Sequence, residues 1–397
     1  MSTPDDPRLP LMTDLLDLHR ARPMLAAALA PADIGDLRLT GVAYRPGRLI
    51  TARYAVALTG EPEDVWLTVM HGDDVPDGGL RLTSDAGEVA LWRFPDDPGL
   101  PGLRVLFDAG PLEALLGELG IDDGPSTVQV RAYQPGRRAV VEIRTRTRRL
   151  FAKVVRPKRV AELQSLHQAL APTLPIPRSH GWDRRLGIVV LEAVPGSSIA
   201  ASLLGGLPTG VAGPDDLIRL LDLIAECAVD TRPRPPPVVR APDHAATLAR
   251  LLPEAADRAA AVAAAVTSAP DEPVITAHRD FHTSQLLVHH GILRLVDIDT
   301  VGAGTRADDL AMLLAQVSCL AKPGAQRTAV LAYRDVSARR FEEVVRPESL
   351  RLRTAAAILG FAMGPFRIQA PEWRTETLRR IDEAERYVES AFKTDVV

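Results

Sequence analysis

The stretch ITAHRDFHTSQLLV, residues 275–288, sets two histidines, an aspartate and a glutamine between two apolar runs. Such an island is either a solvated loop joining two strands or a place where chemistry is done. Asp280 is followed five positions later by Gln285, and twelve residues further on LRLVDIDT ends an apolar strand with Asp297 and Asp299. An acid in a loop, an amide, and acids at a strand end can converge on one cleft. There Asp280 would take the proton of a hydroxyl. Gln285 and Asp297, with Asp299 as a further candidate, would offer oxygens to Mg2+, a cation that takes few carboxylates and completes its octahedron with phosphate oxygens and water. Phosphoryl transfer needs this combination of positioning, neutralised charge and a proton acceptor.

A cation for the phosphates is the next requirement. Of 47 basic residues only four are lysines (Lys153, Lys158, Lys322 and Lys393), so this chain uses arginine wherever a generic cation will do. Lys153 stands in the apolar strand FAKVV, where an ammonium can touch phosphate oxygens as a point charge, and Glu162 on the following helix is the nearest carboxylate to hold it. The turn QPGRR could cover phosphates with backbone N–H groups and with Arg137 or Arg138. Each residue has a plainer reading. Asp280 could cap a turn, Lys153 could snorkel from its strand, Glu162 could be a solvated helix residue, and Asp299 could cap a turn instead of binding a second metal. His278 and His282 read as imidazoles bonding loop carbonyls.

The elements that must position these groups follow from periodicity. PLMTDLLDLHRARPMLAAALA reads as one helix. LRLTGVAYRPGRLITARYAVAL reads as a hairpin, followed by strands at DVWLTVM, EVALWRF and LRVLF and by the helix PLEALLGELG closed by Gly120. Residues 128–156 form a second hairpin around Pro-Gly-Arg with a third strand. AYRPGRLITARYAV and AYQPGRRAVVEIRT align without a gap, the pattern of a two-copy repeat. In the third strand Thr68 of WLTVM stands against Lys153 of FAKVV, so the first copy lacks the lysine. RPKRVAELQSLHQALAP is a helix, LGIVVLEAVPG a buried strand, residues 197–270 are mainly helical with breaks at GGLPTGVAGP and at the stiff connector TRPRPPPVVRAP, and residues 301–393 are helical again. A β-rich part therefore precedes an α-rich part, an α+β layout with a junction near residue 195.

Bulk properties narrow the class. The chain has 397 residues, 46% hydrophobic and 25% charged, enough for two or three domains. A net charge of −4 gives no basic field and argues against nucleic acid as a partner. Cys227 and Cys319 lie far apart with no CxxC, which fits a reducing compartment. The acidic, Pro-rich start lacks the features of a secretory signal, and no apolar run reaches membrane-spanning length. A cytoplasmic protein with no membrane partner is the expectation.

HRDFHTSQ followed by VDIDTVGAGTRADDLA resembles the aminoglycoside phosphotransferase and choline kinase superfamily, whose pattern is H-x-D-x-x-x-x-N, then an I-D-x-D strand end, then a D-L-A helix start. The resemblance covers about residues 126–393 and implies a protein-kinase-like bilobal fold with an extra β-containing N-terminal cap. The domains would be residues 1–125 as the cap (a degenerate repeat of the N-lobe hairpin), 126–194 as the N-lobe and 195–397 as the helical C-lobe. By this likeness Asp280 is the catalytic base, Asp297 the principal Mg2+ ligand, and Lys153 with Glu162 the phosphate-anchoring ion pair. Backbone groups of Glu192 and Val194 in LEAVPG would meet the adenine of ATP. Asp309 would cap the helix DLAMLLAQV and brace the loop. Gln285 replaces the usual Asn, as it does in maltokinase-like and glucosamine-kinase-like members, and maltokinase-like members also carry an N-terminal cap. The implied activity is ATP- and Mg2+-dependent phosphorylation of a hydroxyl on an amino-sugar, sugar or aminoglycoside-like compound. DEAE near the C-terminus would supply acidic groups to a cationic acceptor. Two alternatives keep the fold: a kinase acting on Ser or Thr of a natural-product peptide, and a non-catalytic nucleotide-binding module.

Overall fold

Glycine at two Pro-Gly turns is demanded by the backbone. The computed structural model describes residues 4–121, 123–206 and 211–393. In it Gly47 and Gly136 have φ of 64° and 66°. Each follows a proline in a turn closed by the next arginine, Arg48 N–H to Arg45 O and Arg137 N–H to Gln134 O, both at 3.0 Å. A type II turn places positive φ at its second corner, where a side chain would be strained.

Contacts divide the chain into two units, one of Met1–Gln164, Arg178–Ala193 and Pro365–Trp373, the other of Ser165–Pro177, Val194–Gly364 and Arg374–Val397. The first unit begins with α1 (Met12–Leu16) and α2 (Leu18–Leu29), then β1 (Ile34–Arg45), β2 (Leu49–Leu58), β3 (Val65–Gly72), β4 (Leu80–Ser84) and β5 (Gly87–Arg93). It continues with α3 (Gly102–Leu106), α4 (Ala109–Glu118), β6 (Thr127–Gln134), β7 (Arg138–Arg144), β8 (Arg149–Val155), the part of α5 (Pro157–Leu170) up to Gln164, β9 (Ser179–Asp183) and β10 (Ile188–Glu192). Two five-stranded sheets result, ordered β1-β2-β3-β5-β4 and β6-β7-β8-β10-β9. The order is the same in both, and each sheet is preceded by a helix pair. Only the second has a helix, α5, between its third and fourth strands in sequence.

In β8 the alternation sends Leu150, Ala152 and Val154 into a core with Leu103, Leu106, Leu112, Leu115 and Leu116 of α3 and α4. The other face, with Val155, Val189 and Leu191, packs Val160 and Leu163 of α5. Lys153 is on that second face, half-buried, because successive strand residues point to opposite sides.

The helix expected over residues 11–30 is two helices. They break at Asp17, whose carboxylate accepts the His19 N–H at 2.9 Å and caps α2. LRVLF is helical, not a strand: Leu103 and Leu106, one turn apart, are the buried pair of α3. Thr68 does not stand in the register of Lys153. Thr51 pairs with Met70 in the first sheet as Val140 pairs with Lys153 in the second, so the counterpart is Met70, two residues on and on the same face. The first sheet lacks both this lysine and the helix that carries Glu162.

The second unit holds β11 (Ser197–Ser198), α6 (Ile199–Leu204), α7 (Pro214–Ala225), α8 (Pro237–Leu251) and α9 (Ala256–Val266). It continues with β12 (Ile275–Ala277), β13 (Leu286–His289), β14 (Ile292–Leu295), β15 (Gly302–Gly304), α10 (Arg306–Leu320), α11 (Arg327–Phe341), α12 (Pro347–Phe361) and, from its second residue, α14 (Trp373–Phe392), while the short α13 (Gly364–Arg367) falls to the first unit from Pro365 on. Leu310, Leu313, Leu314 and Val317 of α10 form the centre of its core, with Leu217, Leu221 and Ile224 of α7 and with Phe281 and Leu286 of the polar island's own segment. The break expected at GGLPTGVAGP includes residues 207–210, which lie outside the described residues. The proline-rich connector is shorter than its composition suggests: α8 starts at Pro237, where the missing N–H costs nothing, and runs through Pro242. Among the described residues no helix is long and apolar enough to cross a membrane.

Candidate active site

The polar island is a loop between two short strand pairs. On one side β12 pairs with β15, and on the other β13 pairs with β14 through a two-residue turn, His290–Gly291, with positive φ at both positions. This primed geometry matches the twist of a hairpin. The loop is thus held at both ends, and Asp280 and Gln285 lie between.

Asp309 braces the loop from below. It is 1% exposed, and its two carboxylate oxygens accept the His278 and Arg279 backbone N–H groups, each at 2.7 Å. Burial lifts its carboxyl to about 7, opposed by those two N–H bonds. It does not cap α10. Thr305 does, its hydroxyl accepting the Asp308 N–H at 3.1 Å, because the helix starts at Arg306 and puts Asp309 inside the first turn. Thr300 adds a bond from its hydroxyl to the His278 carbonyl at 2.8 Å.

Arg279, one residue before the acid, has φ of 63°. Its guanidinium donates to the Thr231 hydroxyl at 3.0 Å, the Arg232 carbonyl at 3.0 Å and the Val301 carbonyl at 3.3 Å. It ties the connector before α8 to β15. Gly302 is needed there: a Cβ at that position would lie 1.8 Å from the Thr231 hydroxyl and 2.7 Å from the guanidinium. Neither Thr231 nor Gly302 is singled out by the sequence reading, and Arg279 enters it only as part of HRD. A left-handed non-glycine residue beside an acid in a loop is the physical sign of a site, and it is invisible without the backbone.

Asp280, Gln285 and Asp297 are brought together. The Gln285 amide nitrogen is 3.3 Å from Asp280 Oδ2 and 3.4 Å from Asp297 Oδ2. Asp297 also has positive φ, 64°, which turns its carboxylate out of the line of the strand it follows. Gln285 is 6% exposed and its Oε1 is buried with no hydrogen-bond partner. An orphaned amide oxygen beside two carboxylates fits a divalent cation, which would be held by Asp297 and Gln285. The described residues contain no cluster of three or more His, Cys, Asp or Glu that could hold a metal ion. Asp299 follows on the same turn, half-buried. His282 Nε2 lies 3.9 Å from Asp280 Oδ2.

In the first unit, Lys153 and Glu162 belong to the same sheet–helix layer, and the Glu162 carboxylate meets Arg159 Nε at 3.2 Å. Arg137 is exposed at the tip of the β6–β7 turn. The expected backbone cradle at that turn is not available: Gly136 N–H donates to Asp97 Oδ2 at 2.7 Å and Arg137 N–H to the Gln134 carbonyl. The Glu192 N–H is likewise committed, to the Arg178 carbonyl at 2.8 Å. Val194 is the first residue past the crossover from the first unit to the second.

DEAE does not supply free acidity. Arg258 bridges Asp382 and Glu385, and Arg334 and Arg386 hold Glu383. Basic groups also lie near Asp280: burial pulls the pKa of Arg240 in α8 down, as does Arg234, against the charges of Asp243 and Asp280.

Two antiparallel sheets with a lysine-bearing third strand, and a helical unit whose loop joins an aspartate, an amide and a second aspartate, define a protein-kinase-like phosphotransferase. Residues 127–344, more than half of the chain, match the phosphotransferase enzyme family APH, and the chain belongs to that family. It is similar to a thermostable mutant of aminoglycoside phosphotransferase APH(4)-Ia in apo form, with a TM-score of 0.50 and 13% identity over 70% of this chain and 99% of that one. It is also similar to choline kinase LicA from Streptococcus pneumoniae, with a TM-score of 0.48 and 13% identity over 70% and 98%. No protein of curated function matches the sequence.

Proposed function

We propose that this enzyme transfers the γ-phosphoryl group of ATP to a hydroxyl of a small, polar molecule, with Asp280 as the base. The observation that carries the reading is the convergence of Asp280, Gln285 and Asp297 around an unpartnered amide oxygen. Asp280 orients the acceptor hydroxyl and receives its proton as the oxygen attacks phosphorus. Asp297 and Gln285, with Asp299 beyond them, hold Mg2+, which when bound neutralises phosphate charge. Lys153, steadied by Glu162, and Arg137 address the phosphates of the nucleotide, and the backbone of Glu192 and Val194 addresses the adenine. Solved structures of this fold carry ATP analogues, among them a ternary complex of an aminoglycoside phosphotransferase with AMP-PNP and hygromycin B, which supports ATP as donor here.

The charges favour one acceptor class. With the DEAE carboxylates consumed by arginines and Arg240 near Asp280, a polycation gains little from the C-terminal acids and meets a cation at α8. A neutral, hydroxyl-rich compound such as a sugar fits better than an aminoglycoside.

The test is Asp280→Asn with ADP release read over a panel of sugars, amino-sugars, aminoglycosides and Ser/Thr peptides. Turnover should fall by about 10² to 10⁴ while ATP binding persists. Normal turnover in the variant would remove Asp280 from its role. Release with peptides alone would favour the peptide reading, and ATP binding without ADP release for any acceptor would favour a nucleotide-binding module.

A further inference from the structure

Asp97 repeats, in the second sheet, what Asp6 does in the first. Asp6 Oδ2 accepts the Tyr44 hydroxyl at 2.7 Å and the Gly47 N–H at 2.6 Å, and its Oδ1 accepts the Arg8 N–H at 3.1 Å. Asp97 Oδ2 accepts the Tyr133 hydroxyl at 2.8 Å and the Gly136 N–H at 2.7 Å, and its Oδ1 accepts the Gly99 N–H at 2.8 Å. The segments that carry them are PDDPRLP, residues 4–10, and PDDPGLP, residues 95–101. Each copy of the sheet therefore has its own buried aspartate, 0% and 3% exposed, clamped to the tip of its first hairpin.

The second clamp is tighter. A Cβ on Gly99 would sit 3.0 Å from the Gly136 Cα and carbonyl oxygen, so the PDDPGLP segment lies directly on the turn. In the first copy that position is Arg8, whose side chain lies over Gly47. The Gly136 turn is also touched by the first sheet: a Cβ there would meet Pro76 at 3.2 Å and the Met70 methyl at 3.4 Å. Met70 is the residue in the register of Lys153. Tyr133 itself accepts the Trp92 indole N–H at 3.1 Å, and Arg156 donates to the Gly136 carbonyl. The N–H and C=O of Gly136 are both held by the protein.

We propose that Asp97 is a positioning residue for nucleotide binding: it fixes the Gln134–Arg138 turn so that Arg137 is presented to the phosphates, and the sheet over residues 34–93 is a duplicated lobe that braces this turn. The proposal rests on the reading of that turn as the nucleotide's. A turn held by a buried carboxylate and by packing from a second sheet is preorganised, so the ordering cost is met on folding and not on ATP binding. The missing lysine and missing third helix in the first copy are then expected, since a brace needs shape and not phosphate chemistry.

The test uses the full chain, ATP with Mg2+ by titration calorimetry, and thermal unfolding. Asp97→Ala should raise the ATP Kd about tenfold, as misplacement of a positioning group does. Gly99→Ala, which keeps the carboxylate but pushes the turn, should raise it in the same direction and decides the matter if Asp97→Ala does not fold. Asp6→Ala is the internal control: the same bonds are lost from the other hairpin, so Tm should fall comparably while the ATP Kd stays within twofold. A folded Asp97→Ala with wild-type ATP affinity overturns the proposal, as does an Asp6→Ala that weakens ATP equally. A wild-type protein that binds no ATP sinks the kinase reading and this one with it, whereas wild-type binding with insensitive variants sinks this one alone.

Discussion

Replacing Asp309 by Asn tests whether the loop that holds Asp280 is set by one buried carboxylate. Asp309 gives one oxygen to each of two backbone N–H groups at 2.7 Å, and the second of them belongs to Arg279, whose φ of 63° is unfavourable for a side-chain-bearing residue. Asn keeps one acceptor and turns an NH2 towards the remaining N–H. One hydrogen bond to a charged group, about 1.5–3 kcal/mol, is lost, and a buried N–H is stranded beside it. The strain at Arg279, of order 1–2 kcal/mol, loses its counterweight. A net cost of about 3 kcal/mol lowers the ratio of formed to unformed loop by about two decades, and for a loop held against that strain mainly by these two bonds kcat should fall by up to about 10² with it. The assay is ADP release at saturating ATP, alongside urea unfolding. The pH dependence has a definite sign. Burial lifts the folded carboxyl from 3.8 to about 7, so the folded state holds a proton that the unfolded chain releases. That contribution to stability is full below the ordinary carboxylate pKa and is lost as pH rises to about 7. Asn does not titrate, so the stability gap between wild type and variant should narrow from pH 4 to pH 7 and stay level above. A variant with kcat within threefold of wild type at pH 8 would refute the brace.

Two further outcomes follow from buried charge. Arg353 and Asp308, 5% and 7% exposed, pair at 2.7 Å. Arg353→Met should cost about 3–5 kcal/mol in urea unfolding by stranding the carboxylate, and pairing it with Asp308→Leu should restore most of that. A loss under 1 kcal/mol in the single variant would show that Asp308 finds another partner. Glu142 is held near 2 by its bond to Arg149 and by Arg131, against burial that would raise it. Its folded pKa is depressed, so its contribution is present above the usual 4.5 and is lost as pH falls towards 2. Acid unfolding should steepen in that window, and Glu142→Gln should flatten it. Identical pH profiles would count against the arginine cluster as the cause.

How much of this is legible in the chain depends on how local each cause is. Asp280, Gln285 and Asp297 can be read because short apolar strands on both sides fix where a polar loop must turn. The Pro-Gly turns can be read because positive φ has few residue solutions. LRVLF misleads because five consecutive mostly apolar residues carry no period, and only the core against β7 and β8 selects the helix. The Thr68 register fails because an ungapped match between short strands cannot see a shift of two, which keeps every side chain on its face. Asp97 is overlooked because it acts on a turn 39 residues away. PDDPxLP occurs twice in the chain, but outside the hairpins whose ungapped match carries the repeat.

Arginine's role in this chain follows from the same facts. It is the generic cation, 43 of 47, and the structure spends it on carboxylates: Arg258 on Asp382 and Glu385, Arg334 and Arg386 on Glu383, Arg353 on Asp308. Guanidinium suits this task because its fork satisfies two oxygens at once and stays charged when buried. The consequence reaches the acceptor. An acid already bridged by an arginine attracts a passing cation weakly, since the pair presents a dipole and not a charge. Counting acidic residues near the C-terminus therefore overstates the field a substrate would meet. Near Asp280 the charges include Arg240, itself beside Arg234 and Asp243. Replacing Arg240 by Gln should leave a neutral acceptor's KM nearly unchanged but improve the KM of a cationic one. Improvement for neither would mean that the acceptor's charged groups bind elsewhere than beside α8.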